Sequence, residues 1–214
     1  VYLLWLGDCI QGFGSQGGRL AWRTDATLTE QFRIFRRLLA MQVEMFAPLA
    51  ERLVVASVAG NHDEAVRQPV VTRGDDSWAV EALVTVKDAF DRVEGYEHVS
   101  FVTPAKDSTT VTLDVAGTVV GLAHGHQWRG DAHNAHAWFA KQAHGRTQIG
   151  DADLLLCGHR HHLYVQEGGV KTVIQVPALV GSSQWWVEAA GDRSQTAAVC
   201  LTVGGGVWGD LTTL

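Results

Sequence analysis

The stretch Leu53-Val54-Val55-Ala56-Ser57-Val58-Ala59-Gly60-Asn61-His62-Asp63 decides how this chain is read. Residues 53–58 form a short, mostly apolar run rich in β-branched side chains, the composition of a strand covered on both faces. The run ends near a glycine, and three polar side chains follow at once. The same layout recurs three times. Residues 2–6 lead into Gly7-Asp8, residues 119–123 into His124-Gly125-His126, and residues 154–157 into Gly158-His159-Arg160-His161. Four strands thus deliver Asp, Asn and His at their carboxyl ends, where α/β folds assemble their sites. Oxygen and nitrogen donors of this kind suit Mn, Fe or Zn, whereas Ca would want more carboxylates.

Between these segments the pattern alternates. Residues 27–46 have the period of an amphipathic helix, with Leu28, Phe32, Phe35, Leu39 and Phe46 inward and Arg33, Arg36 and Arg37 on the solvated face. Thr27 and Glu30 stand at capping-box spacing, and Pro48 ends the helix. A second helix is expected over 78–93 and a third over 131–144, the latter capped by Asp131. Strands are expected over 99–103, 109–115, 118–123, 154–157, 163–166, 170–176 and 196–203, with tight turns at Gly117, Gly168-Gly169 and 204–206. The Gly-rich loop 11–18 is not followed by Gly-Lys-Ser/Thr, so it is read as a turn and not as a phosphate cradle. The expectation is an α/β (α+β) chain, with two mixed sheets packed face to face, helices outside, and one domain over 1–214.

Composition narrows the partners. The 214 residues carry a net charge of −6, which excludes a broad basic surface for duplex DNA, although 17 Lys and Arg could still cluster locally. Cys9, Cys157 and Cys200 are far apart, odd in number and without CxxC spacing, the pattern of a reducing compartment with no disulfide framework. No apolar run reaches the length of a membrane span, and no basic-then-apolar leader opens the chain. A cytoplasmic protein is expected.

The donor residues permit a definite chemistry. A carboxylate such as Asp8 can bridge two cations, one on each oxygen. Asn61 offers a neutral amide oxygen that leaves the positive charge of a metal available to an anion, and His124 and His159 supply imidazole nitrogens. His161, two residues on, can point toward a neighbouring cation. Two divalent ions about 3.5–4 Å apart would clamp a phosphoryl group and generate hydroxide at neutral pH. His62 is left for proton chemistry, with Asp63 placed to hold its other ring nitrogen.

In this order and at these spacings, the motifs Gly7-Asp8, Gly60-Asn61-His62-Asp63, His124-Gly125-His126 and Gly158-His159-Arg160-His161 resemble those of the calcineurin-like metallophosphoesterases. The similarity runs from residue 3 to about 183, where Gln175-Val176-Pro177-Ala178 stands in place of the family's strand ending in Asn-Pro-Gly. The resemblance implies a four-layer αββα sandwich and a dinuclear Mn, Fe or Zn centre that hydrolyses phosphate esters. Carried over, Asp8 bridges, Asn61, His124 and His159 hold the second metal, His161 binds the first, His62 donates a proton and His126 lies behind the ligands. The His-Gly-His version is similar to phosphodiesterase and nuclease branches, including SbcD-type nucleases and phage-encoded relatives (which would act in the host cytoplasm). A phosphodiester is therefore the expected substrate, either a nucleotide or a single-stranded nucleic acid. The family also has an Asp-x-His motif before Gly-Asp, which this chain lacks, so a missing first strand and a longer parent protein are expected. Asp131-Ala132-His133 has the letters but sits at a helix start.

A different class of function fits the same fold. A retromer subunit built on it serves as a scaffold, so a catalytically silent interaction module is the alternative; the trio Asn61-His62-Asp63 argues for hydrolysis. Trp128, Trp138, Trp185 and Trp186 follow loops near the motifs and read equally as base-stacking platforms or as an apolar rim for a partner. His133 and His136 share a helix face where a substrate contact is conceivable.

Overall fold

Three parallel strands, β1 (Tyr2–Trp5), β2 (Leu53–Ser57) and β3 (Val99–Val102), form a sheet with β2 at its centre. They belong to the first of two compact units, Val1–Val111, the second being Thr112–Leu214. The computed structural model describes all residues except 15–17, 19–23, 67–71, 132, 183, 185–186, 189–190 and 192. Every residue of β2 is buried, as its near-continuous apolar run requires of a strand flanked by parallel neighbours.

Helix α1 (Leu28–Phe46) begins where the sequence says it should. Thr27 takes the extended N-cap conformation, its hydroxyl accepts the Glu30 N–H, and the Glu30 carboxylate accepts the Thr27 N–H. Its inward face, Phe35, Leu39 and Val43, meets Ala79, Leu83 and Val86 of α2 (Trp78–Phe90) and Leu53 and Val55 of β2. Burying each of the larger of these side chains stabilises the unit by roughly 1.5–3 kcal/mol. Trp5 belongs to this core as well, edge-on to Phe35 at a centroid distance of 4.9 Å.

The second unit begins within β4 (Thr110–Val115) and carries a five-stranded sheet. With β5 (Thr118–Ala123), β6 (Leu154–Cys157), β7 (Tyr164–Gly168) and β8 (Lys171–Gln175), its order is β4-β5-β6-β8-β7. Strands β5, β6 and β8 are parallel, and β7 runs antiparallel to β8. Helix α3 (Asn134–His144) packs Ala135 and Phe139 with Ala123, Leu155, Cys157 and Val173. A separate antiparallel pair, β9 (Val199–Gly204) and β10 (Val207–Thr213), turns through Gly205 and Gly206 at φ 61° and 81°. Three hydrogen bonds clip it to its unit: Trp208 Nε1 donates to Thr172 Oγ1 (3.2 Å), Gly206 N to Thr118 Oγ1 (2.8 Å) and Gly205 N to the Ala116 carbonyl (2.8 Å).

The α/β class is as expected, with several corrections. Two mixed sheets were expected; the sheet of the first unit is parallel, that of the second is mixed, and β9-β10 stands apart. Strand β10 lay outside the expected elements. Asp131 does not cap α3 through its side chain: the helix starts at Asn134, His133 holds the N-cap position without a side-chain bond, and the Asp131 carbonyl accepts the Asn134 N–H. Among the described residues no helix is long and apolar enough to cross a membrane.

Candidate functional site

The first cluster sits at the carboxyl ends of β1 and β2. Gly7 and Asp8 follow β1 with φ 81° and 50°, so Asp8 adopts the left-handed conformation that non-glycine residues seldom take. That turn places Asp8 Oδ1 2.8 Å from the N–H of His62, which donates to it. Gly60 makes the approach possible. A Cβ there would collide with the Asp8 N and Oδ1 and lie 2.9 Å from Asp63 Oδ2.

Asp63 is fully buried. Its Oδ1 accepts the Ile10 N–H at 3.1 Å, its Oδ2 accepts the Gly60 N–H at 3.0 Å, and its carbonyl accepts the Trp78 N–H at 2.8 Å. One carboxylate thereby ties the loop after β1 to the loop after β2, and the backbone beside it fixes the start of α2. Hydrogen bonds from amides to an ionised oxygen are the strong kind. His62 Nδ1 lies 3.0 Å from the Gln11 carbonyl and 3.1 Å from Gln11 Nε2. A carbonyl only accepts, so in that bond Nδ1 carries the hydrogen. The neighbouring amide then faces it favourably only with its oxygen, the Gln11 amide being turned over. Asn61 is half-buried in the same loop.

The second cluster forms at the ends of β5 and β6. His124 is buried, and its Nε2 lies 3.1 Å from Nδ1 of the half-buried His159. Their ring centroids are 4.9 Å apart at 68°, and the His126 ring lies 5.3 Å from His124 and 6.3 Å from His159. Parallel pairing of β5 with β6 sets the two histidine loops side by side, and the Gly158 N–H donates to the His124 carbonyl at 2.8 Å. His159 has φ 71°, and the Arg160 N–H donates to the Gly158 carbonyl at 2.9 Å, closing a γ-turn on a left-handed residue. His161, also left-handed at φ 61°, is exposed. Gly125, at φ 117°, lets the strands approach: a Cβ there would sit 3.1 Å from the Gly158 carbonyl and 3.1 Å from His159 Cβ.

Two imidazole nitrogens directed at each other share at most one hydrogen between them when both rings are neutral. Two ligands about 2.1 Å from one tetrahedral cation stand roughly 3.4 Å apart, so the His124–His159 pair is close to coordination spacing. The donor set therefore fits a divalent ion. Within the first unit the structure brings Asp8 to the 60–63 loop; within the second it joins His124, His126 and His159.

Several residues do not take the role considered for them. Trp128 is buried against Trp138, with ring centroids 5.0 Å apart, so its face is core and no platform for a base. Trp185 and Trp186 lie outside the described residues. The His136 ring fills the space beside Gly168. Conversely, sequence reasoning passed over Gln11, and over Gln175 as a hydrogen-bonding residue. Gln175, at the end of β8, is fully buried and donates through Nε2 to the His162 carbonyl at 2.9 Å, supporting the histidine loop. Its place before Val176-Pro177 was the available signal.

Both thiols near these loops stay protonated. Burial, with the carboxylates of Asp63 and Asp8 adding to it, holds Cys9 well above its ordinary value. Burial likewise pushes Cys157 up to about 12, against a small opposing effect of Arg160. With only protein groups around them, neither thiol is ionised at neutral pH.

Similar solved structures include Vps29 of Entamoeba histolytica complexed with zinc, 19% identical over 81% of this chain and 87% of that one, with a TM-score of 0.41. Vps29 of Chaetomium thermophilum is 10% identical over 79% and 85%, with a TM-score of 0.43. An archaeal phosphodiesterase is 12% identical over 80% and 74%, with a TM-score of 0.40. These are resemblances at low identity, and no function follows from them. No curated protein matches the chain. The model of the calcineurin-like phosphoesterase superfamily domain matches residues 40–199, well over half of the sequence. The chain therefore belongs to the calcineurin-like phosphoesterase superfamily, whose general chemistry is metal-dependent hydrolysis of phosphate esters.

Proposed function

We propose that this protein hydrolyses a phosphodiester, a nucleotide or a short single-stranded nucleic acid, with Asp8, Asn61, His124, His159 and His161 holding two divalent cations. Manganese is the preferred ion, with iron or zinc as substitutes. The observation that carries the reading is the pair of imidazole nitrogens of His124 and His159, 3.1 Å apart at the ends of adjacent parallel strands. When bound, such ions supply Lewis-acid charge and lower the pKa of water.

The rest is done by the chain. Asp63 holds the two loops that carry Asp8 and His62 in register by accepting from Ile10 and Gly60. Gln11 takes the Nδ1 hydrogen of His62, which leaves Nε2 as the atom that holds a proton. From there the proton passes to the ester oxygen as it leaves, and the resulting neutral ring is reprotonated from solvent. His126, whose ring lies near both His124 and His159, backs the ligands and donates no bond to the substrate.

The test compares bis-p-nitrophenyl phosphate with p-nitrophenyl phosphate in manganese, alongside metal content by mass spectrometry. The expectation is faster turnover of the diester, and loss of at least about 100-fold in His62→Ala with metal content unchanged. Turnover by His62→Ala equal to the parent's would sink the proton-donor assignment. Bound metal with no hydrolysis of either ester would leave the scaffold alternative standing in its place.

A further inference from the structure

Helix α1 has a second apolar face. Outside the core that α1 forms with β2 and α2, Ile34, Leu38, Met41 and Met45 are 55%, 41%, 47% and 58% exposed. The inward stripe of Phe35, Leu39 and Val43 is separate from them, so these four are not the edge of the core. Their spacing, four then three then four residues, is the alternation of a helix seam that receives another helix. A line of this kind on a solvated helix marks a contact surface and not scattered exposure.

We infer that this face pairs with the same face of a second copy, the two α1 helices running antiparallel across a two-fold axis. The pattern is its own complement in that arrangement. Turning the helix end for end about the midpoint of Leu38 and Met41 brings Ile34 opposite Met45 of the second copy and Leu38 opposite its Met41, and repeats each contact by symmetry. Charge selects the antiparallel direction. Arg37 and Glu44 are exposed, one heptad apart, and border the stripe on the same side. In the antiparallel pair, Arg37 of each copy stands beside Glu44 of the other, giving two ion pairs. In a parallel pair the residues flanking the other side would be Phe35 and Gln42, of which Phe35 is buried in the core and Gln42 already accepts from Trp5 Nε1 at 3.0 Å. No charge is then available to match. Because α1 is already folded on its unit, association orders only side chains, which favours a contact of modest size.

Sedimentation equilibrium of the whole chain under reducing conditions, from about 5 to about 500 µM, reads the prediction directly. The parent is expected to move from monomer to dimer across that range. Leu38→Glu is expected to stay monomeric throughout, with an unchanged circular dichroism spectrum and unfolding midpoint to show that the fold is kept. Arg37→Glu and Glu44→Arg each place like charges together twice and are expected to weaken the dimer about tenfold, whereas the double exchange restores it. A parent that is monomeric over the full range overturns the inference, as does a dimer indifferent to Leu38→Glu. A double exchange that fails to recover affinity overturns the antiparallel register.

Discussion

Nε2 of His124 faces Nδ1 of His159 at 3.1 Å, although the two residues stand thirty-five positions apart in sequence. The second of these residues is held left-handed at φ 71°, a conformation that costs a non-glycine residue about 1–2 kcal/mol. The ring is therefore presented at the expense of backbone strain. His159→Gly is expected to weaken zinc or manganese binding by more than about a hundredfold, while the unfolding free energy stays within about 1 kcal/mol of the parent or rises. Calorimetry for the metal and urea unfolding for stability check the two halves separately. A large loss of stability would mean that the imidazole contact outweighs the strain.

Gly60 is required by the approach of Asp8. Gly60→Ala puts a carbon where the Asp8 amide and carboxylate already lie, and backbone cannot step aside as a flexible side chain can. The expected cost is about 2–4 kcal/mol, measured by urea unfolding, with metal binding lost in parallel as Asp8 is displaced. A cost under about 0.5 kcal/mol would contradict the close packing of the two loops.

Asp63→Asn separates two roles for this residue. As an acceptor for two amides, the carboxylate cannot be replaced by a carboxamide, whose NH2 must face either the Ile10 or the Gly60 N–H. A loss of about 2–3 kcal/mol of stability is expected, because one buried donor loses its partner. Were Asp63 instead only a partner of the His62 ring, the variant would keep the parent's unfolding curve and change the pH dependence of hydrolysis alone.

How much of this was legible can be judged residue by residue. Helix α1 was readable because Thr27, Glu30 and the spacing of its apolar residues are local signals, and β2, β5 and β6 because strands buried on both faces have continuous apolar composition. His124 and His159 were legible as a strand-end pair for the same local reason, each standing within two residues of a buried strand. The bond of Asp63 to the Ile10 amide, fifty-three positions away, left no local mark in the sequence. Left-handed Asp8, His159 and His161 carry no mark in the sequence, since only glycine advertises that conformation. Strand β10 was missed because Gly209 and Asp210 interrupt its alternation, at the point where the pairing with β9 slips register.

The cysteines give a pH test. Above 9.0 the thiols of an unfolded chain lose their protons, while folded Cys157 keeps its own until about 12. The unfolded state then binds fewer protons, so stability from this group is complete below 9.0 and falls as pH rises toward 12. The expected slope is about 1.4 kcal/mol per pH unit for one proton. Urea midpoints taken across that window should fall less steeply for Cys157→Ala than for the parent. A residual slope is expected in the variant because Cys9 is shifted the same way.

The parallel order β1-β2-β3 has a kinetic consequence. Parallel neighbours cannot meet through a short hairpin, so Trp5 must wait for Ser57, and Leu53 for Val99, across long intervening chain that includes a whole helix each time. Loop closure on that scale must be completed before any strand contact rewards it, which places this unit among slow folders. The nascent chain therefore spends its longest vulnerable interval with the edges of β2 bare, and it is at that stage, not in the finished protein, that aggregation will compete with success.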